Sequence, residues 1–136
     1  MVQVKMGLRN LEFRNPVSKI NISKILSEAD VFFVSLERAA IYRYGISLNK
    51  IFDYMAAGKP VIFSGQSSNN PIEESSCGLT VPPRDAQALA EAIIKIYYMS
   101  QEERDTMGGH GREYVEKYHN IVVLAEKFDQ CIKTIL

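Results

Sequence analysis

The chain is 136 residues long, enough for one domain with a real core and short for two. Sixteen Lys and Arg balance sixteen Asp and Glu, so no net field draws it onto nucleic acid or an anionic membrane, and any phosphate it holds is held locally. Its only cysteines, Cys77 and Cys131, lack metal-ligand spacing and read as small apolar fillers in a reducing cytoplasm; no apolar run nears the ~20 residues of a membrane span, and no charged-then-apolar leader follows Met1.

In chain order, residues 1–8 show no strand alternation, and Gly7 followed by Leu8 and Asn10 reads as the exit from a helix whose beginning is missing. The chain is therefore expected to start in mid-fold. Leu11-Glu12-Phe13, ahead of Asn15-Pro16, predicts a strand; 20–28, with Ile22, Ile25 and Leu26, a helix; and 31–34, Val-Phe-Phe-Val, a second strand.

Residues 49–57 place Ile51, Phe52, Met55 and Ala56 on one helical face, Gly58 can close that helix, and 60–63 follow as a buried strand. A last strand over 79–81 ends at Pro82-Pro83. Beyond it the pattern is helical: Asp85 caps a helix to about Met99, Ser100 with Glu103 forms a capping box, and Asn120 begins a third helix. Short strands separated by helices imply right-handed crossovers and a parallel sheet covered on both faces. Such sheets bind ligands at the carboxyl ends of their strands.

The chemistry concentrates in 42–61, YRYGISLNKIFDYMAAGKPV, where a Gly-containing polar loop runs into an amphipathic helix. Unpaired amides at a helix start, with the macrodipole behind them, favour a phosphate. Ser47 and Asn49 are both candidate caps, and Lys50 adds a point charge. Gly45 allows either a tight turn or a close backbone approach to a ligand. Asp53 shares a helical face with Asn49 and leans toward the helix start. Its carboxylate could accept from two vicinal ribose hydroxyls or simply complement the helix dipole.

YGISLNKIFDYMAAGKPVIFS, with ILSEADVFF before it and NPIEESSCGLTVPPRDAQALAEAI after it, resembles the carboxyl-terminal domain of bacterial family 4 glycosyltransferases of the GT-B fold. More narrowly it is similar to the subgroup of capsule and O-antigen assembly, and GREYVEKYHNIVVLAEKF is similar to the family's closing helices. The resemblance implies an α/β, Rossmann-like, three-layer α/β/α domain over 1–136, lacking its first strand or strands and followed by carboxyl-terminal helices. It implies a nucleoside-diphosphate sugar as donor, UDP-linked, with neither metal nor cofactor, and transfer with retention in cell-surface polysaccharide biosynthesis.

In the wider family a Glu-x7-Glu pair flanks the donor, the first acid near the sugar and the second on the ribose. Asp53 falls at the second position and Gly45 at the first, so the ribose contact carries over and the sugar contact does not. The resemblance also implies a basic diphosphate-binding pair upstream of Met1, for which Arg43 and Lys50 are the nearby substitutes. Donor diphosphate contacts are thus expected from Arg43, Gly45, Ile46, Ser47, Asn49 and Lys50, and the ribose contact from Asp53. In relatives the loop at 70–74 lies beside the donor sugar; Glu73 or Glu74 would reach it, or else form a solvated first helical turn.

A catalytic group would come from the missing amino-terminal acceptor domain, so no catalytic residue is expected here and the chain alone should not catalyse transfer. Localisation follows as cytoplasmic, peripheral to the inner membrane in the full-length protein. The truncated sheet should expose an apolar edge and favour self-association. Rival readings are a stand-alone nucleotide-binding or regulatory module and a non-catalytic interaction module derived from the fold. A sugar-nucleotide epimerase is disfavoured, with neither G-x-G-x-x-G nor a Tyr-x-x-x-Lys pair.

His110 and His119 have no second metal ligand at suitable spacing and read as surface or packing residues. Tyr97, Tyr98 and Phe128 fall on apolar helical faces, as core or domain-interface residues. The charges at Glu102, Glu103, Arg104, Asp105, Arg112, Glu113, Glu116 and Lys117 read as a solvated face.

Overall fold

A computed structural model describes residues 7–135. The expected helix exit over 1–8 lies outside these residues except at Gly7, whose φ is +63°, and Leu8. In order the elements are α1 (Lys19–Ser27), β1 (Phe32–Ser35), a 3-10 turn (Ala40–Tyr44), α2 (Asn49–Ala56), β2 (Val61–Ser64), α3 (Pro71–Ser75), β3 (Gly78–Val81), α4 (Ala86–Tyr97), α5 (Gln101–Tyr118) and α6 (Ile121–Ile135).

The sheet has three parallel strands in the order β1-β2-β3, in a register that aligns Phe32 with Val61 and Val61 with Gly78. β2 is central, and all four of its residues are buried, the near-continuous apolar run that a strand covered on both faces requires. Side-chain alternation sends Val61 and Phe63 to one face, with Phe32, Val34, Ile51, Met55, Ile72 and Cys77. Ile62 goes to the other face, with Val81, Ala92 and Ile96. Helices α2, α3 and α5 cover the first face and α4 the second, giving the expected three-layer α/β/α arrangement.

α2 forms where the apolar spacing places it. Ile51 and Met55, one turn apart, are fully buried against the sheet, each worth about 1.5–3 kcal/mol of burial. Its end is closed twice. Gly58 takes φ +70° and donates to the Met55 carbonyl at 3.0 Å. Arg112 of α5 donates to the Ala56 and Ala57 carbonyls at 3.1 and 3.2 Å. Arg112 is therefore a long-range helix cap and not part of a merely solvated face.

The strand expected at 11–13 does not form; the segment is irregular, and Phe13 is 64% exposed. Leu11 and Phe13 are both exposed, and Glu12 pairs locally with Arg14 at 3.3 Å. A three-residue apolar run with no covered face to bury into does not repay its ordering. Cys77 is the expected buried filler, its thiol pushed up by burial, whereas Cys131 is exposed on α6. Tyr97, Tyr98 and Phe128 are likewise exposed and not core, because α4 and α6 turn those faces away from the sheet. No helix among the described residues is long and apolar enough to cross a membrane.

Candidate donor site at the start of α2

The candidate residues gather at the carboxyl ends of β1 and β2, where a parallel sheet presents its loops. The loop from β1 to α2 passes through the 3-10 turn and reaches Gly45, which takes φ +107°, a conformation a residue with a Cβ would resist. The loop after β2 ties it down. Asn69 Oδ1 accepts from the Ile46 amide at 2.5 Å and Asn69 Nδ2 donates to the Ile46 carbonyl at 3.0 Å. The Ser68 amide donates to the Tyr42 carbonyl at 3.4 Å, which the Ser67 hydroxyl also reaches at 3.4 Å.

Neither Ser47 nor Asn49 caps α2, contrary to expectation. The capping position falls to Leu48, whose side chain cannot accept a hydrogen bond, and Asn49 is already the first helical residue. Leu48 packs against the core from that position, and this burial fixes the register. The amides of Ser47, Leu48, Asn49 and Lys50 consequently have no protein acceptor among the described residues. Ser47, Asn49 and Lys50 are exposed at the helix start. Ile46 differs from its neighbours: its side chain is buried in the core and its amide is taken by Asn69.

One turn along α2, Asp53 is exposed and shares with Asn49 the wall of a cavity of about 820 Å³. The opposite wall is α1, through Lys19, Ser23 and Ser27, and Arg112 closes one side. Of the residues with open amides, Asn49 lines this cavity with Asp53, and Ile22, Leu26, Ala56 and Ala57 add apolar surface to its walls.

Arg43 lies on the other side of the loop. Its guanidinium donates to the Tyr44 hydroxyl at 2.5 Å and sits 4.6 Å from the centre of that ring. It lines a second cavity, of about 390 Å³, with Arg38, Gln66, Ser67 and Ser68. α3 separates the two acids once grouped together. Glu73 is exposed, while Glu74 accepts from the Tyr114 hydroxyl of α5 at 2.5 Å. Burial and the Glu74 carboxylate push the Tyr114 phenol up to about 12. Among the described residues no three His, Cys, Asp or Glu side chains gather as metal ligands.

Sequence reasoning missed Asn69 and Arg112. Asn69 acts on a residue 23 positions earlier and Arg112 on the end of a helix more than 50 positions earlier. A clue to Asn69 was present in the pair Asn69-Asn70, one more asparagine than the α3 cap needs: Asn70 caps α3 through the Ile72 amide at 3.2 Å and reaches Thr80 Oγ1 at 2.8 Å.

The family described as Glycosyl transferases group 1 matches residues 2–98. The chain is 29% identical over 126 residues to the probable glycosyltransferase WbjE of Pseudomonas aeruginosa, covering 90% of this chain and 30% of that protein. Its fold matches sucrose-phosphate synthase from Thermosynechococcus elongatus with a TM-score of 0.77 at 25% identity, over 98% of this chain and 32% of the synthase. It therefore spans about a third of the length of each of these relatives. With the motif of the α2 loop and the three-layer fold in agreement, the chain belongs to the glycosyl transferases group 1 family, as a carboxyl-terminal domain of the GT-B fold.

Proposed function

We propose that the chain binds the nucleoside diphosphate part of a sugar donor, for a retaining transfer completed by residues outside this chain and serving cell-surface polysaccharide synthesis. The observation that carries the reading is the uncapped start of α2, with Asp53 one turn further along the same cavity wall. Four open amides at the positive end of a helix suit a diphosphate, and Lys50 adds charge beside them. Asp53 then accepts from the vicinal ribose hydroxyls, a pairing a carboxylate can make with a diol and not with a phosphate.

In the transfer step the sugar–oxygen bond breaks and negative charge builds on the departing diphosphate. Amides and an ammonium already aimed at that place stabilise the charge without reorganising. Arg43, held against Tyr44 and lining a separate cavity, is the further cation proposed for the diphosphate.

Calorimetric titration of the full-length protein with uridine and guanosine diphosphates tests the reading. Asp53→Ala and Lys50→Ala are each expected to weaken binding severalfold, about 1 kcal/mol apiece, with the melting temperature little changed. Unchanged affinities in both variants would sink the assignment.

A domain-interface role for the outer helices accompanies this reading. Tyr97 and Tyr98, 75% and 80% exposed with ring centres 5.3 Å apart, and Phe128, 68% exposed on α6, offer aromatic surface suited to packing against another part of a longer chain.

A further inference from the structure

The loop after β2 enters the site through one side chain. Asn69 satisfies both the amide and the carbonyl of Ile46, at 2.5 and 3.0 Å. A carboxamide that meets both backbone groups of one residue reproduces the paired bonds of a β bridge, and so fixes that residue in position and in rotation. Ser67 supports the clamp, its single hydroxyl proton directed to Asn69 Oδ1 at 3.0 Å, with the Tyr42 carbonyl at 3.4 Å as the alternative acceptor.

The clamp depends on Gly45 for space. A Cβ at residue 45 would lie 2.9 Å from Asn69 Oδ1, in a backbone conformation of φ +107° that already disfavours any side chain. Asn69 therefore fills the volume that a side chain at residue 45 would need. By the resemblance drawn from the sequence, that side chain is an acid in the wider family; here a neutral carboxamide from the opposite loop stands in its place. Gly45 therefore cannot gain a side chain while Asn69 holds this position.

We propose that Asn69 is a positioning residue for the donor diphosphate. It removes the Ile46 amide from the ligand's reach and sets the rotation at which the chain enters α2, so that the amides of Ser47, Leu48, Asn49 and Lys50 converge on one anion. The inference rests on the nucleoside diphosphate reading above. It separates two ends of the site: the phosphate end depends on the clamp, and the ribose end, at Asp53, is held by the buried face of α2.

The test is Asn69→Ala in the full-length protein, titrated with uridine and guanosine diphosphates and with the free nucleosides. Asn69→Ala is expected to weaken the diphosphate that the unaltered protein binds by about tenfold, and to leave the matching nucleoside within about twofold. A purely structural loss would lower both together, so equal losses, or no loss of either, overturn the clamp. If the unaltered protein binds neither diphosphate, the donor reading itself falls and the clamp with it. Should Asn69→Ala fail to fold, Ser67→Ala removes only the support behind the carboxamide. It is expected to cost the diphosphate about two- to threefold with the nucleoside unchanged, and an unaltered diphosphate-to-nucleoside ratio in that variant overturns the proposal.

Discussion

The helices that begin at Asn49 and at Gln101 open in opposite ways. At α5 the circuit is closed: the Ser100 hydroxyl accepts from the Glu103 amide at 3.2 Å, and the Glu103 carboxylate accepts from the Ser100 amide at 2.7 Å. The Ser100 amide first, and the Ser100 hydroxyl second, hold the Glu103 carboxyl below the usual carboxylate range. At α2 the capping position is a leucine, and the first amides face outward without a protein acceptor among the described residues. α3, α4 and α6 are closed by Asn70, Asp85 and Asn120. The other helix without a side-chain cap is α1, the far wall of the Asp53 cavity. The two uncapped starts thus belong to the helices that form the facing walls of the cavity, whereas α5, which reaches it only through Arg112 in mid-helix, is capped.

The largest effect is expected from closing the open helix. Leu48→Asp supplies an acceptor for the free amides and places a negative charge where the diphosphate would rest. Diphosphate affinity should fall by about tenfold or more. The gain from the new cap and the loss of Leu48 packing oppose each other, so the melting temperature should move little. Calorimetry beside a thermal melt checks both halves, and retained affinity would remove the special status of the α2 start.

The converse experiment opens the closed helix. Ser100→Ala breaks the capping box and is expected to cost about 1 kcal/mol, a fall of roughly 2–5 °C in melting temperature for a domain of this size. Diphosphate affinity should be unchanged, because the α5 start contributes nothing to the cavity beside Asp53. Lost affinity at unchanged stability would mean that the two helix starts do not divide their work in this way.

What was legible in the sequence follows the range of the forces involved. The caps at Asp85, Ser100 and Asn120 involve neighbours three residues away, and each formed where the local pattern placed it. The parallel sheet was readable because a strand buried on both faces needs the unbroken apolar run of residues 61–63. Leu11 and Phe13 carried a similar local signal, yet the segment is irregular, since three residues of alternation are too short a signal to fix a strand. The α2 start misled for a related reason. Ser47 and Asn49 are good caps by residue type, but burial of Ile46, Ile51 and Met55 fixed the helix phase and left Leu48 at the boundary. The Asn69 clamp joins loops that only the folded sheet brings together, and no spacing rule foretells it.

The smallest effect concerns how the closed helix supports the open one. At the carboxyl end of α5, His119 stacks on Phe52 of α2 with ring centres 4.2 Å apart, and on Tyr114 at 5.5 Å. Phe52 precedes Asp53, so the stack braces the helix that carries the candidate ribose contact. Burial first, then the nearby Lys127 ammonium, hold the imidazole below its ordinary value, with Glu74 opposing in part. The folded chain therefore prefers neutral His119, whereas the unfolded chain takes up a proton near pH 6.5. The stabilisation is present above that pH and is lost as pH falls below it toward the folded value. His119→Phe keeps an aromatic ring against Phe52 and removes the titration. The fall in melting temperature between about pH 7.5 and about pH 5.5 should be shallower in the variant than in the unaltered protein. Identical slopes would mean that protonation of His119 does not disturb the stack, and that the junction of α5 with α2 rests on packing alone.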